Sequence, residues 1–198
     1  MRYLIAACLA PLIALAAPAL TQEAAPEQCA PGPDRTAERM ALLDRLAAAP
    51  TPMAAQQAAG LVWQFWMTAP DATAQALLDD GVRSIRYADY AKAETVLDDL
   101  VAYCPDFAEG WNQRAFARFL RGRYFESLAD IEEVLAREPA HFGALSGKVQ
   151  ILVIQDRARA ARGVLRETLK SHPWMVGQGL LPDPDPASDP ARAPGDDI

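Results

Sequence analysis

Thiols and imidazoles are the most versatile side chains for chemistry, and this 198-residue chain has few: Cys8, Cys29, Cys104, His141 and His172. Neither histidine has a second ligand three or four positions on, the spacing that puts two metal donors on one helix face. Both lie where a turn or a helix end is expected, His141 ahead of an apolar run and His172 before a proline. The cysteines form no C-x-x-C motif, and there is no GxSxG serine elbow, glycine-rich phosphate loop or HExxH zinc motif. Acidic pairs occur at Asp79-Asp80, Asp98-Asp99 and Glu132-Glu133, but adjacent side chains on a helix point in different directions and read as solvated faces. The expectation is a protein without catalytic residues, metal or cofactor.

The thiols have a use other than catalysis. Met1-Arg2 followed by an uncharged, Leu/Ile/Ala-rich stretch to Leu20 reads as an export leader, with Ala17-Pro18-Ala19 as the cleavage site and Ala14-Leu15-Ala16 as a second choice. An uncleaved anchor is the competing reading, but Pro11 and Pro18 interrupt the stretch, and a span needs about 20 apolar residues. Too few apolar residues precede Cys8 to make it a lipid-attachment site. Residues 1–19 are therefore expected to leave a periplasmic or secreted chain with no stable membrane insertion. Cys29 and Cys104 then face an oxidising compartment. A disulfide between them would close a loop of 75 residues and stabilise the fold by about 4.5 kcal/mol through lost chain entropy. One buried and one free cysteine is the alternative, and spacing alone does not choose.

The elements around these residues are helical in composition. Half the chain is hydrophobic, dominated by Ala and Leu, with few β-branched residues. Net charge is −7, and one unit more negative without Arg2, which excludes a nucleic-acid or anionic-lipid partner held by basic residues. Residues 20–34 are Pro-rich and aperiodic and read as a linker. Residues 35–73 read as a helical hairpin broken at Pro50-Thr51-Pro52, with Thr51 as an N-cap. Residues 176–198, rich in Pro and Asp, are expected to be a disordered tail.

Between them runs a period. Pro105, Pro139 and Pro173 are 34 residues apart and close units 74–107, 108–141 and 142–175. In the central unit Trp111, Ala115, Tyr124, Ser127, Ile131 and Val134 alternate large and small residues over two amphipathic helices. The first unit repeats this with Leu77, Gly81, Tyr90, Ala93, Leu97 and Leu100. The third repeats it with Leu145, Ala161 and Leu165, while Val149 and Thr168 depart from the small residues expected. Asp106 and Glu109 read as a capping box for the first helix of the central unit, and Gly122 as the turn between its helices. In these residues the chain resembles the tetratricopeptide repeat family over about 102 positions. The resemblance implies an all-α, right-handed α-solenoid of stacked helix-turn-helix units, with residues 35–73 either a degenerate repeat or a cap.

The resemblance also implies a binding surface. In that family the first helix of each unit lines a concave face that takes a protein or peptide partner. Carried over, the candidate residues are Arg86 from the first unit, Asn112, Gln113, Phe116 and Phe119 from the second, and Gln150 from the third. The two rings suit an apolar side chain and the amides a peptide backbone. Their competing role is packing, Phe119 on a neighbouring unit and Phe116 over the N-terminal helices. The basic and amide residues that grip a terminal carboxylate in some members are missing, since Phe116 stands where one such Asn would be. The four tryptophans are expected first in the core, with Trp174 shielding the end of the stack. The expected function is that of an envelope adaptor; a self-associating structural protein and a regulatory subunit remain as alternatives.

Overall fold

A computed structural model describes residues 28–30 and 32–174. The expected leader and tail lie outside the described residues. Among those described there are eight helices and no strand: α1 (Thr36–Ala47), α2 (Pro52–Trp66), α3 (Ala72–Arg86), α4 (Tyr90–Tyr103), α5 (Ala108–Leu120), α6 (Tyr124–Arg137), α7 (Phe142–Ile154) and α8 (Ala158–Ser171). None of these helices is long and apolar enough to cross a membrane.

Local chemistry starts several of them. Thr51, Asp71 and Asp89 accept hydrogen bonds from the backbone N–H three residues on, the N-cap geometry that satisfies an orphan donor. His141 does the same through Nδ1, accepting from Ala144 N–H. The Asp106/Glu109 capping box does not form. Helix α5 begins after Phe107 with no side-chain cap, and Glu109 is drawn inward by partners described below.

Consecutive helices from α3 onward pack as antiparallel pairs in a row, an all-α solenoid. The small residues sit where backbones approach. A Cβ on Gly81 of α3 would lie 2.7 Å from the Leu97 side chain of α4. Ser127 of α6 is buried and donates to the Ala115 carbonyl of α5 at 2.8 Å. Leu78, Leu97, Leu100 and Ile151 are fully buried, each worth about 1.5–3 kcal/mol of burial. The period also shows in the backbone. Ala88, Gly122 and Asp156, the equivalent residues of the three intra-unit turns, all have positive φ (60°, 72° and 56°). Only the central turn has the glycine that adopts this conformation without strain.

A charged layer joins α5 to α6 within its unit and to α4 of the unit before. Asp130, buried on α6, takes a two-pronged ion pair from Arg114 at 2.7 and 3.0 Å and another from Arg118 at 2.8 Å, both on α5. Glu94, buried on α4, is surrounded by Arg118, Arg121 and Arg123. Burial alone would raise its pKa, but the three guanidinium groups more than offset this and hold it below the ordinary value.

The N-terminal hairpin makes little contact with α3 and is not simply the next unit in the row. Its core of Leu46, Ala55, Ala58, Val62 and Trp66 is completed by Phe142 of α7. The segment from Cys29 through α1 to Ala49 touches the closing end of each unit. Cys29 is joined to Cys104 by a disulfide with Cα atoms 5.1 Å apart, reinforced by Cys29 N–H donating to the Tyr103 carbonyl. Arg39 of α1 pairs with Glu138 at 2.6 Å. The Trp174 indole N–H donates to the Ala49 carbonyl at 2.8 Å. Cys104 and Glu138 hold the same place one period apart, immediately before the repeat-closing prolines. Residues 28–30 and 32–49 thus form a strap across three units, and Trp174 contributes a tether there rather than a buried plug.

Candidate functional site

Helices α5 and α7 face each other across the inside of the row, and α2 forms a third side. Their side chains enclose an open cavity of about 300 Å3. Of the residues expected at the concave face, Asn112, Gln113, Phe116, Phe119 and Gln150 all line it. Arg86 does not; it is exposed at the last turn of α3, away from the cavity.

The lining residues differ in what else they do. Phe116 is 47% exposed, which leaves its ring accessible to a ligand. Phe119 also belongs to the core of its own unit, its ring 5.7 Å from that of Tyr124. Gln150 is exposed and Asn112 is buried, only 8% exposed. Trp63 of α2 supplies the wall that periodicity could not reveal. It fits only because position 143 lacks a side chain, since a Cβ on Gly143 would lie 2.6 Å from the indole.

Behind this lining sits a buried polar cluster. Glu109 (1% exposed) accepts from Asn112 Nδ2 at 3.0 Å, from Gln113 Nε2 at 2.5 Å, and from His141 Nε2 at 2.9 Å. Since His141 Nδ1 accepts from Ala144 N–H, the ring proton must be on Nε2, and the imidazole is neutral in this arrangement. The ring is stacked on Trp66 at 3.8 Å between centroids, and Trp63 meets it edge-on at 5.7 Å. Such a cluster is stable because the buried carboxylate, the imidazole and both amide NH2 groups find partners. It could pass for a catalytic carboxylate–imidazole pair, but His141 is fully enclosed and its second nitrogen is committed to the helix cap. Its work is to fix the two amides and to join α5 to α7. Among the described residues no group of His, Cys, Asp and Glu is arranged to hold a metal.

A wider cavity of about 480 Å3 lies along the seam between the strap and the row. Its arginines are engaged: Arg35 with Glu38, Arg39 with Glu138 and Arg137 with Glu133. It presents these pairs beside Asp34 and Asp106, whereas the inner cavity presents uncharged amides and aromatic rings.

Comparison with known proteins agrees with the repeat architecture. The chain is 42% identical over 87 residues to a TPR repeat-containing protein of Rhizobium etli. The match covers 44% of this chain and 43% of that protein, so it spans less than half of the relative's length. No family model matches the chain, and no solved structure matches it.

Proposed function

We propose that this chain, an all-α array of tetratricopeptide-like repeats, is a non-enzymatic adaptor that binds a peptide segment of another protein in the inner cavity. One observation carries the reading: Asn112, Gln113, Phe116 and Phe119 of the second unit and Gln150 of the third converge with Trp63 on one open cavity. Rings beside side-chain amides suit an apolar side chain and the backbone next to it. Repeat arrays of this kind act by presenting extended surfaces rather than by bond-breaking chemistry. The TPR repeat-containing relative supports a role in protein interaction.

The location we infer is the periplasm or the cell exterior, after removal of residues 1–19. Two features support it: the apolar leader and the Cys29–Cys104 disulfide, a bond that persists in oxidising compartments. Assisting assembly or maintenance of an envelope complex is the role that fits such an adaptor. The test is in-cell cross-linking of the tagged chain, comparing the parent with a Phe116→Ala/Gln150→Ala double variant. Both residues are exposed, so the variant should keep its helicity while losing the parent's cross-linked partner. An identical set of cross-links from parent and variant would reject the cavity as the binding site.

A further inference from the structure

The polar cluster behind the cavity determines what the cavity can offer a ligand. A carboxylate only accepts hydrogen bonds, so Glu109 forces the amides of Asn112 and Gln113 to turn their NH2 groups toward it. Gln113 also directs its NH2 at Met67 Sδ, 3.9 Å away. What Gln113 retains for a ligand is its carbonyl oxygen, and the same holds for the oxygen of Asn112, which is not left buried without a partner. Asn112 is more than nine-tenths buried, so this orientation is built in rather than adopted on demand. No lining residue carries a charge, and the rings of Trp63, Phe116 and Phe119 line the same cavity.

We infer that the occupant is an arginine side chain of the partner peptide. A guanidinium is flat, carries five N–H donors and no acceptor, and stacks on aromatic faces. It therefore satisfies amide oxygens and rings together, as no aliphatic or carboxylate side chain does. The whole-chain charge of −7 favours a basic partner as well. The same argument disfavours the chain's own residues 176–198, whose five aspartates outnumber a single Arg192. The arginines on α5 nearest in sequence do not compete, since Arg114 and Arg118 are held by Asp98, Asp130 and Glu94. This inference rests on the cavity being the binding site, and the experiment separates the two ideas.

The probes are capped glycine pentapeptides with Arg, Lys, norleucine or Glu at the centre. They are titrated into the isotope-labelled full chain while the side-chain amide signals of Asn112, Gln113 and Gln150 are followed by NMR. The arginine peptide should shift these signals and bind at least about tenfold more tightly than the norleucine and glutamate peptides. Phe116→Leu, which removes one exposed ring, and Gln113→Met, which removes one oxygen, should each reduce that preference to less than about threefold. Norleucine binding as tightly as arginine at the same signals overturns the arginine assignment and leaves the cavity standing. Lysine equal to arginine overturns the guanidinium-specific reading, because an ammonium lacks the plane. No shift by any peptide at millimolar concentration overturns both the occupant and the cavity.

Discussion

Reduction of the Cys29–Cys104 disulfide should loosen the N-terminal strap far more than it disturbs the row of helices. The bond spans 75 residues, and loop-closure entropy for that length gives an upper value of about 4.5 kcal/mol. Part of this is offset, because the backbone bond from Cys29 N–H to Tyr103 and the Arg39–Glu138 pair still hold the strap after reduction. We expect a loss of about 3–4 kcal/mol in a Cys29→Ser/Cys104→Ser variant. For a domain of this size each kcal/mol moves the midpoint by roughly 2–4 °C, so melting should fall by about 10 °C. Calorimetry of the variant, and of the parent with and without reductant, measures it. Hydrogen exchange should show the new mobility first at residues 28–35, with α4 to α6 still protected. A midpoint within about 2 °C of the oxidised parent would refute the reasoning, because the strap would then be held without its covalent tie.

Three further outcomes follow from particular residues. Ala88→Gly should stabilise by about 0.5–1 kcal/mol, relieving a left-handed alanine at the expense of a more flexible unfolded chain, while Gly122→Ala should destabilise by about 1 kcal/mol; urea titration reads both, and equal signs would contradict the turn geometry. Gly143→Ala should cost about 1–3 kcal/mol and displace Trp63 from the cavity wall, so stability and partner capture should fall together; a variant with parental values for both would show that the contact is slack. The depressed pKa of Glu94 means that its ion pairs stabilise the fold above the ordinary glutamate value of 4.5 and lose that contribution as pH falls through the lower folded-state value. Stability of the parent should therefore drop more steeply below about pH 4.5 than that of Glu94→Gln, and parallel curves would rule out this contribution.

What the amino-acid order disclosed, it disclosed through locality. The 34-residue period, the small residues Gly81, Ala115 and Ser127, and the inward positions Asn112, Phe116 and Gln150 all depend on neighbours one turn or one unit away. The features it concealed depend on where the aperiodic hairpin goes. Trp63 could become a cavity wall only by reaching α7, about eighty residues on, and no repeat register predicts that contact. Glu109 shows the same limit in reverse. Its spacing from Asp106 matches a capping box, yet a carboxylate that can bond two amides and an imidazole in the interior is drawn there instead. An acid followed by two amides within four residues was the available hint. Asn112 changes meaning for a related reason: at the concave face by position, it is also a structural donor, so its replacement tests folding as well as binding.

Arrays of identical modules normally lengthen by duplication and shorten by deletion, because each module answers only to its neighbours. The Arg39–Glu138 and Ala49–Trp174 contacts remove that freedom. Inserting another 34-residue module between α4 and α5 would carry two of three anchorage points out of reach, so module number here is set by the reach of one short segment. The order of synthesis matters too: α1 and α2 leave the ribosome before their final neighbours, which are not all present until Trp174 has emerged.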